Sequence, residues 1–211
     1  MTGLLVVGGG GHAKVLIDII KSDCKYEVAG YVDLIDRGKL LGCEYLGDDE
    51  HVLEAYAVRV PHGAAALGIG IVGPSPRRIR IFERLRSLGY ALPPIVSTYA
   101  RIGIETAVGD GTLICHNAVL QVCARVGSGS ILNTNCIVEH DCRVGNFVHV
   151  APGAVLCGGV EIGDESVIGA GAIVLPGKRI AVGCMVGAGA VVTEDLLGPG
   201  PYVGSPARRI V

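Results

Sequence analysis

The sequence predicts a small α/β domain followed by a parallel β-helix built from six-residue repeats. Every sixth residue from Val96 to Val192 is Val, Ile or Leu. Glycine is abundant, at 33 of 211 residues, and only 4% of the residues are aromatic, as is typical of repeat proteins with tight corners. The chain opens with a strand, a glycine-rich turn and an apolar-periodic helix. We place the boundary near Pro94, which gives domains of residues 1–94 and 95–211.

The repeat has a period that neither an α-helix nor a flat strand can produce. A unit with one inward aliphatic residue and one tight corner forms one side of a triangular coil. Three units then make one turn, and Gly109, Gly127 and Gly145 recur at that spacing. The residue four places after each aliphatic position is small or β-branched, with Lys178 as the clear exception. We expect about five to six coils, stacked at the ~4.8 Å spacing of strands.

The first domain is predicted to alternate strands and helices, as α/β domains do. We expect strands at residues 4–7 and 28–32 and near residues 66–72, with a helix after the first strand. A second helix, rich in arginine, is expected at residues 75–88, ending before Gly89.

The turn after the first strand matches the pattern G-x-G-x-x-A at Gly8, Gly10 and Ala13, and Asp33 ends the next strand. Backbone amides at a helix N-terminus bind phosphate, and an acidic residue at that place can bind a ribose hydroxyl. The domain is short for a full dinucleotide fold, so we predict a nucleotide or nucleotide-sugar site. NAD(P) binding and a purely structural glycine turn remain alternatives. His12 is either a contact to phosphate or substrate, or a simple surface residue.

The second candidate site lies in the repeat, in the runs NTNCIVEHDC (residues 133–142) and FVHVAPGA (residues 147–154). His140 comes two residues after an inward aliphatic position, so we expect it to point outward between Glu139 and Asp141. An exposed imidazole with carboxylate neighbours suits a general base near neutral pH. His149 is a second candidate. Lys178, beside Arg179, breaks the small-residue rule and suggests a corner where two cations could meet an anionic ligand.

Composition argues against several other classes. The formal net charge is −2 and no basic block is present, which disfavours nucleic-acid and polybasic membrane binding. No apolar run is long enough for a membrane span, and the first residues resemble a strand more than a signal peptide. The eight cysteines form no CxxC pair, so we expect reduced core cysteines in a cytoplasmic protein and no metal site.

At the level of motifs, the chain resembles the sugar acetyltransferases of the sialic acid O-acetyltransferase family. That family includes bacterial N-acetyltransferases of nucleotide-linked 4-amino sugars. The resemblance rests on GGGGHAK, NT…EHD, FVHVAPGA and the terminal PYVGSPARRI, and it covers essentially the whole chain. It implies a Rossmann-like N-terminal domain that holds the nucleotide-sugar and a left-handed β-helix. It also implies a homotrimer with active sites between subunits and acetyl-CoA in the groove between adjacent helices.

The resemblance also implies roles for individual residues. His140 would be the general base, and Asp141 would orient or polarise it. His149 would form a hydrogen bond near the thioester carbonyl, Asn133 would line the acceptor pocket, and the Gly158 amide would stabilise the oxyanion. The residues implied to face the nucleotide-sugar are Gly10, Gly11, His12, Asp33 and Gly70, with Arg77 or Arg78 beside the base.

The predicted function is acetyl-CoA-dependent N-acetylation of a nucleotide-linked 4-amino-4,6-dideoxy sugar, by direct transfer. O-acetylation of sialic acid or another glycan sugar is the main alternative. An acyl-cysteine route is disfavoured because Cys136 and Cys142 occupy the inward small position.

Two further alternatives belong to other classes. One is a trimeric β-helical metalloenzyme of the carbonic anhydrase type, with His116, His140 and His149 on zinc, although their spacing does not fit it. The other is a scaffold without catalytic activity, against which the intact EHD and FVHVAPGA runs argue.

Overall fold

The computed structural model describes residues 2–23, 25–60 and 63–210. The N-terminal unit contains three strands and three helices. In chain order they are β1 (Thr2–Val7), α1 (Gly11–Asp23), β2 (Tyr26–Val32), α2 (Asp49–Arg59), β3 (Ala64–Leu67) and α3 (Pro76–Ser87). None of the helices in these described ranges has the length and apolar character needed to cross a membrane.

The three strands form a parallel sheet in the order β2-β1-β3. Side chains of a strand alternate between the faces of its sheet, and β1 is apolar on both. Leu4 and Val6 pack with α1, whereas Leu5 and Val7 pack with α2 and α3. The unit is therefore a three-layer α/β arrangement, which confirms the predicted class.

The rest of the chain is a parallel β-helix with three faces, as predicted. Its strands are β4 (Ile95–Val96), β5 (Arg101–Ile102), β6 (Ala107–Val108), β7 (Leu113–Ile114), β8 (Val119–Leu120), β9 (Arg125–Val126), β10 (Ile131–Leu132), β11 (Ile137–Val138), β12 (Arg143–Val144), β13 (His149–Val150), β14 (Val155–Leu156), β15 (Glu161–Ile162), β16 (Val167–Ile168), β17 (Ile173–Val174), β18 (Arg179–Ile180), β19 (Cys184–Val186), β20 (Val191–Val192), β21 (Gly200–Val203) and β22 (Arg208–Arg209).

Consecutive strands fall in turn on three sheets. Face 1 contains β4, β7, β10, β13, β16, β19, β21 and β22; face 2 contains β5, β8, β11, β14, β17 and β20; face 3 contains β6, β9, β12, β15 and β18. In most paired strands of these sheets the partner residues lie 18 positions apart in the sequence, as residues 137 and 155 do in the pair Ile137↔Val155. Each corner residue is thus stacked on its equivalent one coil away.

The inward aliphatic residues form one continuous core. Leu132, Val138, Val150 and Leu156 are completely buried, as the six-residue period predicts. The recurring corner glycines are required by close approach between coils. A Cβ at Gly109, for example, would lie 2.5 Å from the backbone nitrogen of Ser128 in the next coil.

The N-terminal unit packs on face 1. Helix α1 lies between its own sheet and the outward residues Ile95 and Leu113 of that face. Farther along the same face, Ile71 packs against Ile131 and Val167. The first strand of the β-helix, β4, begins at Ile95.

One local expectation was wrong, and one helix was missed. Strand β3 ends at Leu67 rather than continuing to residue 72, because Gly68 turns the chain against the start of α1, where a Cβ would lie 2.9 Å from that of Ala13. Helix α2 was not predicted. Its start is capped by Asp48, whose side chain accepts hydrogen bonds from the Glu50 and His51 amides.

The cysteines were also predicted as a uniformly buried group. Among the described residues all are free; most are buried, but Cys123 and Cys157 are only partly so. Both lie at the corner between faces 2 and 3, where outward turn positions are open to solvent. Cys24 lies outside the described residues.

Candidate active site

His140 lies at the corner between faces 2 and 3, two residues after the end of β11. The next residue, Asp141, has a φ of 60°, which turns the chain sharply. His140 Nδ1 is 2.8 Å from Asp141 Oδ2, and both side chains are more than half exposed, at 59% and 65%. A carboxylate accepts, so Nδ1 carries a proton, and in the neutral ring this tautomer leaves the lone pair on Nε2. The pair is therefore an exposed imidazole whose orientation is held by a carboxylate.

Gly158 occupies the equivalent corner one coil farther along, directly over that free nitrogen. A Cβ at this position would lie 2.6 Å from His140 Nε2. The next amide, of Gly159, donates to the His140 carbonyl at 2.9 Å and fixes the spacing of the two coils. No acceptor for the Gly158 N–H is found among the described residues. The corner thus places an imidazole nitrogen beside a backbone donor that is free to bind a ligand.

His149 lies elsewhere, on β13 of face 1. Asn133 Nδ2 donates to His149 Nε2 at 3.0 Å, and the Asn133 carbonyl oxygen accepts from the Thr134 amide at 2.8 Å, which fixes the orientation of the side-chain amide. His149 Nδ1 is buried without a hydrogen-bond partner in the described part of the chain. Burial lowers the pKa of His149; the nearby Ile71 backbone opposes this shift and Arg78 adds to it. His149 is therefore a neutral imidazole at neutral pH.

The glycine-rich turn forms a cleft of about 290 Å³ with the segment that follows β3. Gly10 and Gly11 line it, and a Cβ at either would meet no atom within 4 Å. Because α1 begins at Gly11, its free amides and the positive end of its dipole are at this cleft. The cleft therefore has the form of an anion site. Its lining residues are Gly8, Gly9, Gly10, Gly11, His12, Asp33, Leu34, Ile35, Arg37, Gly68, Ile69, Gly70 and Arg77.

Asp33 lines this cleft, but its carboxylate is already engaged by the protein. It accepts from the amides of Gly9 and Leu34, both at 2.7 Å, and from Arg77 Nη2 at 3.3 Å. Burial acts to raise the pKa of Asp33, but these hydrogen bonds outweigh it and the net shift is downward. Besides any ribose contact, Asp33 holds the glycine-rich turn in place.

His12 is placed differently from a simple surface residue. Its ring lies against Gly70, where a Cβ would be 3.4 Å from that of His12, and its Nε2 is buried without a partner among the described residues. Burial, with smaller effects from Arg78 and His149, lowers the pKa of His12 to about 3. His12 and His149 are thus neutral rings at the junction of the two units.

Arg78 is buried, unlike the other arginines of α3. It is completely buried and donates to the carbonyls of Gly129 at 2.8 Å, Leu67 at 3.1 Å, Gly111 at 3.4 Å and Ile69. Burial lowers its pKa to about 9, so the guanidinium stays charged at neutral pH. The sequence carries no signal that separates Arg78 from its neighbours, because its role depends on carbonyls of distant corners. Arg78 fixes the segment beside the cleft to the β-helix.

The structure brings some predicted residues together and separates others. His140, Asp141 and Gly158 share the corner between faces 2 and 3, and half-exposed Lys178 lies at the same corner farther along. The residues around the cleft and face 1 form a second group, made up of Gly10, Gly11, His12, Asp33, Gly70, Asn133 and His149.

The three histidines of the metalloenzyme alternative have separate partners. His116 lies 2.6 Å from Ser97 Oγ and 3.2 Å from Asp18 Oδ2, whereas His140 contacts Asp141 and His149 contacts Asn133. Across the described ranges, no three His, Cys, Asp or Glu side chains come together as a metal-binding group.

Two family models match parts of the chain. Residues 3–85 match the family described as PglD N-terminal domain, and residues 141–176 match the bacterial transferase hexapeptide family. None of the curated proteins compared matches significantly.

Several solved structures are similar over the whole chain. The acetyltransferase domain of PglB from Neisseria gonorrhoeae FA1090 is 31% identical with a TM-score of 0.89, and all of both chains is covered. The same domain has been solved in complex with acetyl coenzyme A, with 29% identity, a TM-score of 0.90 and coverage of 99% and 98%. PerB from Caulobacter crescentus, in complex with CoA and GDP-perosamine, is 31% identical with a TM-score of 0.92, covering 100% of this chain and 98% of that one.

The α/β unit, the six-residue repeat and the full-length similarity all lead to one assignment. The chain belongs to the hexapeptide-repeat acyltransferases with a PglD-type N-terminal domain, the family of the PglB acetyltransferase domain and PerB.

Proposed function

We propose that this enzyme transfers the acetyl group of acetyl-CoA to the amino group of a nucleotide-linked 4-amino-4,6-dideoxy sugar. The observation that carries the proposal is the corner where His140 Nε2, freed by the Nδ1 contact to Asp141, faces Gly158. The relatives add the substrate class, since one is solved with CoA and GDP-perosamine and is named a GDP-perosamine N-acetyl transferase.

In the proposed mechanism the acceptor amine attacks the thioester carbonyl while His140 Nε2 takes one of its protons. The carbonyl oxygen becomes an oxyanion, which the Gly158 N–H stabilises. Asp141 stabilises the resulting imidazolium. The tetrahedral intermediate then collapses, the C–S bond breaks, and the proton on His140 passes to the departing thiolate, giving the amide and CoA.

Direct transfer is favoured because the core cysteines are poor nucleophiles. Cys136 and Cys142 are completely buried. Burial raises the pKa of Cys136 to about 12 and also raises that of Cys142. A thiol must ionise to attack a thioester, so neither residue suits a covalent intermediate.

The distribution of the two residue groups supports a site between copies of the chain. Face 2 lies between the corner of His140 and the corner of Asn133, and its outward row is apolar from β8 onward. After Arg101 on β5, the row consists of Val119, Ile137, Val155, Ile173 and Val191, all of them partly or fully exposed. Face 3 instead presents Arg125, Arg143, Glu161 and Arg179. We propose that face 2 packs against a second copy in a homotrimer, and that His140 of one copy faces the cleft of its neighbour.

The same corner also offers cations for acetyl-CoA. Lys178 and Arg179 follow the corner two coils beyond His140, about 10 Å along the helix axis. Arg179 is exposed, and its guanidinium is 3.8 Å from Asp195. We propose that the thioester lies at Gly158 while the phosphates extend toward Lys178. Alanine at both cationic positions is then expected to raise the KM for acetyl-CoA, and an unchanged KM would exclude this placement.

A thiol-release assay with acetyl-CoA tests the function. The acceptor panel contains nucleotide-linked 4-amino sugars and free sialic acid, and His140→Ala is run beside the wild type. Turnover of an amino-sugar nucleotide that is lost in the variant supports the proposal. Turnover with sialic acid alone would replace N-acetylation with O-acetylation, and a fully active variant would remove His140 from the mechanism.

A further inference from the structure

We propose that a second cavity, between α2 and α3, is the nucleobase subsite and that it selects guanine. This α2–α3 cavity has a volume of about 260 Å³ and is lined by Leu34, Asp49, Glu50, Arg77, Arg80, Ile81 and Arg84. The inference rests on the proposed function only in assuming that a nucleotide occupies the glycine-rich cleft.

The α2–α3 cavity continues the cleft. Leu34 and Arg77 line both. Arg77 Nη2 bridges them, 3.3 Å from Asp33 Oδ1 and 3.0 Å from Asp49 Oδ2. In nucleotide-binding βαβ units the phosphates lie at the helix N-terminus and the ribose lies near the acidic end of the second strand. A base attached to that ribose would extend past Asp33 to Leu34, which is where the second cavity begins.

The apolar lining suits a planar ring. Leu34 lies between the two cavities and is 54% exposed, and buried Ile81 lies on the α3 side. A base placed here would cover the leucine side chain and remove apolar surface from water.

The polar lining favours one base. Glu50 is an exposed carboxylate, and Asp49 is 2% exposed with Oδ2 bound to Arg77. Arg80 has no hydrogen bond or ion pair to any described residue. Guanine presents two adjacent N–H donors, N1–H and N2–H2, which a carboxylate accepts together, and its O6 and N7 accept from an arginine.

The other common bases fit this lining less well. Uracil and thymine present a single ring N–H between two carbonyl oxygens, so one carboxylate oxygen would face a carbonyl. Adenine lacks the paired donors. A site whose polar groups are left unpaired rejects a ligand strongly, so the lining should discriminate as well as bind.

The alternative is that the lining binds no base: the Asp49–Arg77 pair then only connects α2 to α3, and Glu50 and Arg80 are solvated. Calorimetric titration of the full-length protein with GDP, UDP, dTDP and ADP separates the two. We expect GDP to bind at least about tenfold more tightly than UDP or dTDP, equivalent to ~1.4 kcal/mol. Glu50→Gln and Arg80→Met should each lower GDP affinity about tenfold and leave UDP affinity unchanged.

Glu27→Gln is the matched control, because Glu27 is an exposed carboxylate on β2 away from both cavities. Equal binding of all four nucleotides, tighter binding of a pyrimidine nucleotide, or no nucleotide binding would overturn the inference. The comparison of the four nucleotides uses the wild-type protein alone, so a variant that fails to fold does not affect its outcome. The titration also contains no acetyl-CoA, so its outcome is independent of whether the acetyl transfer is found.

Discussion

Replacing Gly158 by alanine tests the central geometry of the proposed site. The new Cβ would lie 2.6 Å from His140 Nε2 and 2.7 Å from Cε1, whereas carbon and nitrogen atoms in contact are about 3.5 Å apart. The ring must therefore move by about 1 Å. An error of that size at a reacting group can lower the rate about 100-fold, so we expect kcat to fall by about that factor in the thiol-release assay.

The fold should tolerate the substitution, since the clash falls on the end of an exposed side chain and Gly158 does not have a positive φ. Thermal unfolding of Gly158→Ala should match that of the wild type. Gly3→Ala is the control, because its Cβ would make only ordinary contacts, 3.6 Å from Ala29 Cβ and 3.8 Å from Tyr56 Oη. A Gly158→Ala enzyme with normal kcat would refute the assignment of His140 Nε2 as the base at this corner.

Four further predictions follow from the same structure. Asp141→Asn should lower kcat about 10- to 100-fold by weakening the contact that holds His140, and steady-state kinetics with unchanged activity would contradict it. Val155→Glu puts a charge in the apolar row of face 2, so sedimentation should give monomers without activity, and an active trimer would exclude this interface. Arg78→Met leaves several buried carbonyls without a donor and should cost about 3 kcal/mol or more of unfolding free energy, as measured by urea titration; a smaller loss would mean that water replaces the guanidinium. Burial lowers the pKa of His12 from 6.5 to about 3, so between these values the unfolded chain binds a proton that the folded chain does not, and the free energy of unfolding falls by about 1.4 kcal/mol for each pH unit below 6.5. His12→Gln should therefore remove about 2 kcal/mol of the stability that the wild type loses between about pH 6.5 and pH 5. Equal losses in the two proteins would refute the pKa shift.

The β-helix could be predicted from sequence because its buried positions recur at a fixed period. An inward position such as Val138 is buried in every coil, so one rule explains the whole stack. The outward position of His140 followed from the same rule. What the rule could not give is the orientation of the ring, which depends on the Asp141 carboxylate and on the empty space at Gly158.

The N-terminal unit was harder because its contacts are not periodic. Helix α2 escaped detection, although the acidic run beginning at Asp48 is a common helix start. Arg78 and Arg80 look alike in sequence, yet one is completely buried and the other is exposed. Only the docking of α3 on the corner carbonyls of Gly111 and Gly129 separates them.

The glycine at position 158 has no structural explanation within the repeat. Its neighbour Gly159 has a φ of +70°, which favours glycine, but Gly158 itself has no such conformation. His140 and Gly158 occupy the same corner position in adjacent coils. That position is Val122 in the coil before His140 and Pro176 in the coil after Gly158, so the turn accepts a side chain there. At Gly158 alone an added carbon would strike the His140 ring. The absence of a side chain at Gly158 therefore leaves space for the imidazole and is not needed by the coil, as the proposed substrate site at this corner requires.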